Sequence, residues 1–291
     1  MPLATALRSI AESNARHWPI DVVVLHDGMS DGARRRVAES LPHGACHIDW
    51  KRVELGDFAP FGVLGHISRM TYARLLLPTL LPPDVPRALY LDVDILVLKD
   101  LNALRQVDLH GAVVGAVSDL WVRGDAEGGS SNVPRVGAYF NAGVLLIDLA
   151  RWRAERVSER ALDYLRRHPS TPYSDQDALN VACDGRWTPI EPRWNFQGHL
   201  HVRIDRLPAA QRPAIVHFIT RWKPWLPSSA SHNAALYRSF RNQTAYQRSR
   251  LERLWDMLCQ FGFRVRYRVE RWFSGPLQPS ERPKASEPAR A

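Results

Sequence analysis

The chain has 291 residues, 45% hydrophobic and 24% charged, which supplies one large core or two modest ones and excludes disorder throughout. Lys plus Arg number 39 against 30 Asp plus Glu, a formal charge of +9, but eleven basic and five acidic residues from Arg241 onward place +6 of it in a C-terminal tail. Cys46, Cys183 and Cys259 are odd in number and lack a C-x-x-C pair, which argues against a disulfide framework or zinc knuckle and predicts a cytoplasmic protein.

In chain order, Met1 to Asn14 carries no secretory apolar stretch. Val22–Leu25 reads as a short strand closed by His26-Asp27-Gly28, and Asp31 to Leu41 as a helix. Cys46–Leu55 alternates as a half-buried strand does, and Ile67 to Leu77 has helical spacing until Pro78 stops it. Ala88–Asp92 and Val113–Val117 are further short strands, and Gly143–Leu149 is a continuous apolar run of the kind buried on both faces. Gly124 to Gly137, rich in Gly, Ser, Asn and Pro, is expected to be a mobile loop with a lid role. Arg151 to Arg167 and Asp175 to Ala182 read as helices, and Ala214–Phe218 as a strand. Strands alternating with helices predict an α/β fold with a mostly parallel, doubly wound sheet. No run approaches the roughly 18 apolar residues of a spanning helix.

Four places could carry chemistry. Asp92-Val93-Asp94 follows a strand, where open α/β sheets put their ligands. With 19 Asp in the chain an Asp-x-Asp arises by chance, and two occur, so setting alone raises the first. Two carboxylates at a buried strand end repel one another unless a cation joins them; the alternative is one capping carboxylate and one exposed. His217 ends a later strand and would make the site a mixed oxygen and nitrogen one, suited to Mn²⁺ over an all-oxygen Mg²⁺ shell, unless it is a satisfied half-buried histidine. Lys223, six residues on, could neutralise a phosphate or be a solvated surface lysine, and Trp225 is expected to pack. In Phe140-Asn141-Ala142-Gly143 the small residues would let a ligand approach the backbone, or merely allow a tight entry into the sheet. Ser174-Asp175-Gln176-Asp177 reads first as a helix start capped by Ser174.

Together, Tyr72-Ala73-Arg74, Leu91-Asp92-Val93-Asp94, Phe140-Asn141-Ala142-Gly143, Asp175-Gln176-Asp177-Ala178-Leu179-Asn180 and His217-Phe218 with Lys223-Pro224-Trp225 stand in the order and rough spacing of glycosyltransferase family 8. From about residue 5 to 230 the chain resembles a retaining sugar transferase of the bacterial lipopolysaccharide type. The resemblance implies a Rossmann-like GT-A fold with helices flanking the sheet and a UDP-glucose or UDP-galactose donor. It also implies Mn²⁺, with Mg²⁺ as the alternative, on the positions matching Asp92, Asp94 and His217. Arg74, Asp92, Asn141, Ala142, Asp175 and Gln176 match positions at the donor sugar, Lys223 one at the diphosphate, and Asp119 an acid toward the acceptor. Cleaving the anomeric bond leaves extra negative charge on the diphosphate and oxocarbenium-like charge on the sugar. Gln176 and Asp175 are the nearest candidates to stabilise or attack the sugar, and front-face return through an ion pair is favoured because an amide is a poor nucleophile.

The sequence departs from the family pattern in two ways. The family opens with a strand and an acidic Asp-Asn-Tyr type loop that hold the nucleoside, whereas this chain starts at the following helix. The expectation is a start codon assigned too late, with an impaired chain as the alternative. Thr220 stands where the family usually has Gly near the diphosphate; its hydroxyl could contact phosphate or its bulk tighten the site.

The expected organisation is a catalytic domain over 1–240, a basic amphipathic helical extension over 241–275 and a disordered end over 276–291. Arg264, Arg266, Tyr267, Arg268, Arg271, Trp272 and Phe273 suit an anionic surface on the inner face of the cytoplasmic membrane, with a saccharide or glycolipid acceptor; a solvated terminus is the alternative. Nucleic acid is not expected as a partner, because no recognised motif accompanies the charge. A metal-dependent nucleotidyltransferase and a non-catalytic sugar-nucleotide-binding or membrane-associated protein are the rival functions.

Overall fold

A computed structural model describes residues 1–63, 68–119, 122, 133–219, 221–226, 229 and 231–273. Helix α1 (Pro2–Ser13) buries Ala4, Leu7, Ile10 and Ala11, whose helical spacing gives it one apolar face. Polar groups then fix its position: Ser9 Oγ accepts from Val97 N at 3.0 Å, and Asn14 Oδ1 from Leu101 N at 2.8 Å.

Strand β1 (Ile20–His26), helix α2 (Asp31–Ala38) and strand β2 (Cys46–Arg52) follow, the strands pairing in parallel from Ile20 with Cys46 to His26 with Arg52. Ser30 starts α2 by accepting from Ala33 N at 3.3 Å. The helix expected over 67–77 is a 3-10 helix at Arg69–Leu76 continued by one α-turn at Leu77–Leu80.

A four-stranded sheet has the order β3 (Arg87–Leu91), β6 (Phe140–Asp148), β5 (Val114–Ser118), β7 (Trp187–Pro189). A further pair joins β4 (Ile95–Val97) to β8 (Ile215–His217). The parallel pairings anticipated are those of β1 with β2 and β5 with β7. Strand β6 differs, running antiparallel to both β3 and β5, so this sheet is mixed. An apolar run buried on both faces carries no information about direction, which is why the sequence could not disclose the reversal.

The single helix expected over 151–167 is two, Leu149–Ala154 and α3 (Val157–Arg167), separated by Arg156 at φ +53°. Helix α4 (Asp175–Ala182) has the expected limits. Ser174 does not cap it: at φ +52° its hydroxyl donates to Gly62 O at 3.2 Å instead. Helices α5 (Ala234–Arg241) and α6 (Arg250–Phe273) close the chain. One apolar core lies between α3, α4 and the β5–β6 strands around Trp152, Leu145 and Phe140, and a second joins α1 to β4 and β8 around Leu7, Ile95 and Ile215. Of the anticipated loop 124–137, residues 124–132 lie outside the described residues, as do the end 276–291 and Thr220.

Among the described residues β1 pairs only with β2, and β3 only with β6. Both strands line one cavity of about 2050 Å³, which also reaches α1 and the carboxyl ends of the strands. Ordinary ligand pockets measure roughly 300–1,000 Å³, so this space holds more than a ligand requires.

Candidate active site

Backbone pairing brings the site together. Strand β3 ends at Leu91 opposite Val144, and the next amide, Asp92 N, donates to Gly143 O at 2.8 Å. Strand β4 begins just after Asp94, and Ile95 sits opposite His217 while Phe218 N donates to Asp94 O at 2.8 Å. The sheet register therefore sets His217 beside both carboxylates: its Nε2 lies 3.3 Å from Asp94 Oδ1 and 3.9 Å from Asp92 Oδ2. One ligand atom from each of Asp92, Asp94 and His217 falls within 4.8 Å of the others, the only such group among the described residues.

The donor chemistry fits a divalent cation, since two hard carboxylate oxygens and an imidazole nitrogen converge on one point of the cavity. Burial pushes the Asp94 carboxyl up, but His217 and Lys223 outweigh it and hold it below the usual carboxylate range. Lys223 Nζ lies 2.5 Å from Asp94 Oδ2 and donates to Phe218 O at 2.8 Å. Trp225 packs on Tyr237, ring centroids 5.5 Å apart, as its expected packing role requires.

Gly143 has a different use from the one its sequence suggested. A Cβ there would collide with the His217 ring and approach Asp92 Oδ2 to 2.9 Å, so the space it leaves belongs to the imidazole. Arg74 is buried and fully engaged by the protein. It lies 3.0 Å from Asp92 Oδ1, 2.9 Å from Asp175 Oδ2 and over the Tyr90 ring, and it donates to Ala142 O. Burial pushes Asp175 up to about 6 against the pull of Arg74, while Thr71 donates to it.

At the other side of the cavity, Gln176 Oε1 accepts from Ala142 N at 3.0 Å, and its Nε2 donates to Asp119 Oδ2 at 3.1 Å. The same Asp119 oxygen accepts from Asn141 Nδ2 at 3.0 Å. Asp119 thus lies against Gln176 and Asn141, and all three line the cavity with Asp92, Asp94 and His217. Asp177, behind them, accepts from Tyr139 Oη at 2.5 Å and Thr171 Oγ1 at 2.6 Å, and burial raises its pKa.

Reading the sequence missed Tyr90, Thr71 and Asn195. Tyr90 donates to Asp92 Oδ1 at 2.7 Å, and Asn195 Oδ1 lies 2.9 Å from His217 Nδ1. Tyr90 stood inside a strand that gave no reason to separate it from packing. Asn195 follows a 3-10 turn at Pro192–Trp194 in an irregular segment with no motif to mark it.

The mixed sheet with its Asp-Asp-His donor set at the strand ends has the GT-A fold of a solved galactosyltransferase, to which it is similar. Residues 3–228 match the model of glycosyl transferase family 8, and the chain belongs to that family. It is 28% identical to General stress protein A of Bacillus subtilis strain 168, over 71% of this chain and 76% of that one. Identity to the lipopolysaccharide 1,2-glucosyltransferase of Escherichia coli K12 is 27%, over 78% of this chain and 68% of that one. GlyF of Streptococcus pneumoniae, also 28% identical, is longer, and the chain spans 62% of it. Among solved structures, the galactosyltransferase LgtC in complex with donor and acceptor sugar analogues is similar at a TM-score of 0.73 and 29% identity, over 84% of this chain and 91% of that one.

Proposed function

We propose that the chain is a retaining hexosyltransferase that moves glucose or galactose from a UDP-sugar to a saccharide or glycolipid acceptor in lipopolysaccharide or cell-surface glycan assembly. The observation that carries this reading is the convergence of Asp92, Asp94 and His217 on one point in the cavity that Gln176 and Asp175 also line. Those three side chains would hold Mn²⁺, or Mg²⁺ in its place, which supplies Lewis-acid stabilisation of a departing diphosphate. Lys223 turns from Asp94 toward the diphosphate as counter-charge. Gln176 presents its amide oxygen to the sugar, because Ala142 N–H and the Asp119 carboxylate fix which way its amide faces. Asp175 adds negative charge near the anomeric carbon, and Arg74 holds that carboxylate in place. Asn141 and the Ala142 backbone border the donor sugar, and Asp119 completes the acceptor side.

The cavity that β1 and β3 both line has room for an extended strand of about seven residues, the length of β1. Such a strand is the one the family pattern places ahead of α1. The breadth of the cavity, about 2050 Å³, favours a second reading: a protein that binds sugar nucleotides without transfer.

The amphipathic extension is read as a membrane or acceptor-surface contact. On α6, Leu251, Leu254, Trp255, Leu258, Phe261 and Val265 are exposed at helical spacing and form an apolar stripe. The side chains of Arg264, Arg266, Tyr267, Arg268, Arg271, Trp272 and Phe273 lie outside the described ones. Among the described residues no helix is long and apolar enough to cross a membrane.

The deciding experiment measures UDP release from UDP-glucose and UDP-galactose with and without Mn²⁺, alongside their effect on melting temperature. Metal-dependent release abolished by Asp94→Ala supports transfer. Thermal stabilisation without release supports binding alone, and neither effect refutes both readings.

A further inference from the structure

The amide side chain of Asn195 belongs to none of the expected motifs, yet it is buried at 1% exposure between the two halves of the site. Its neighbours fix its orientation by elimination. Asp119 accepts from Val122 N at 3.1 Å on one oxygen and from Asn141 Nδ2 at 3.0 Å on the other. A carboxylate only accepts, so the Asn141 atom facing it is the amide nitrogen. Gly143 N, a donor, lies 3.1 Å from the other Asn141 atom, which is therefore the oxygen. Asn195 offers its nitrogen to that oxygen at 2.9 Å. Its own oxygen then has to face His217 Nδ1, 2.9 Å away, and Nδ1 has to carry a proton.

We infer that Asn195 is a positioning residue that keeps the His217 proton on Nδ1, leaves Nε2 as the cation-facing nitrogen, and ties the cation side of the site to the sugar side. With Nδ1 as donor, the neutral ring points its Nε2 lone pair at the space shared with Asp92 and Asp94. The opposite tautomer would aim an N–H into that space and leave the Asn195 oxygen facing a lone pair in a buried setting, an unsatisfied pairing that burial makes costly. The same hydrogen bonds run on through Asn141 and Asp119 to Gln176, so the imidazole and the carboxamide are held by one continuous set of contacts. Second contacts of this kind set the tautomer and direction of metal-binding histidines generally. The cation part of the inference rests on the reading given under Proposed function; the tautomer part does not.

The test separates them. In metal-free, ¹⁵N-histidine-labelled protein at alkaline pH, the neutral His217 ring is expected as the Nδ1–H form. In Asn195→Ala it is expected to shift to Nε2–H, where Asp94 can accept, and in Asn195→Asp to remain Nδ1–H because a carboxylate still accepts from it. Calorimetric Mn²⁺ affinity is expected to fall about 10–100-fold in Asn195→Ala and to change less than about threefold in Asn195→Asp. Loss of turnover in Asn195→Asp at saturating Mn²⁺ reports the broken contact to Asn141. An Nε2–H ring in the wild type, or an unchanged ring and unchanged affinity in Asn195→Ala, overturns the inference. A wild-type Nδ1–H ring in a protein that binds no Mn²⁺ overturns the cation reading alone.

Discussion

Gly143 shows how little room the site allows. The His217 imidazole occupies the volume that any side chain at 143 would need, so the first methyl group added there has to displace the ring. Gly143→Ala is expected to lower Mn²⁺ affinity at least tenfold while the circular dichroism spectrum stays that of the wild type; unchanged affinity would show that the ring can move aside. Asp175 gives a prediction in pH. Its native pKa is raised to about 6 from the ordinary 3.8, so the folded chain binds the additional proton between roughly pH 4 and 6. The stability it contributes is present below that window and lost as pH rises through it. Wild type is expected to lose roughly 2–3 kcal/mol relative to Asp175→Asn between pH 4 and 7, measured as urea midpoints at each pH. Parallel profiles would mean that Arg74 holds the carboxylate at an ordinary pKa.

At the scale of elements, the β4–β8 pair does most of the positioning, because three residues on each strand fix where Asp94 and His217 meet. The residue types were legible in the sequence: two aspartates after a strand, a histidine at the end of another. Their distance was not, since it depends on an antiparallel pairing between strands more than a hundred residues apart. Asn195 was illegible for a related reason. Its role exists only through His217 and Asn141, which come from other parts of the chain. The break at Arg156 also lacked a signal, since neither glycine nor proline marks the left-handed residue. Helix α6 carries a further expectation. Trp255→Asp with Leu258→Asp is expected to reduce sedimentation with anionic vesicles severalfold while UDP release stays as in wild type, because neither residue touches the cavity. Equal sedimentation would remove the membrane role.

For the whole molecule, the main elements fell close to their expected limits, and β1 and β3 line one common cavity. Amides of β1 that face this cavity have no strand partner among the described residues, so they are expected to exchange with deuterium far faster than those of β6. Fusing an apolar seven-residue strand ahead of Met1 through a flexible linker is expected to slow β1 exchange and raise the melting temperature by several degrees. A fusion that leaves both unchanged would show that the gap does not accept a strand.

A strand edge left unpaired among the described residues, as in β1 and β3, also has a social consequence. Any extended apolar segment, including one from a neighbouring molecule as it emerges from synthesis, can pair with it. Turbidity that climbs steeply with protein concentration, and clears when a short β-forming peptide is added in excess, is the behaviour such a molecule should display.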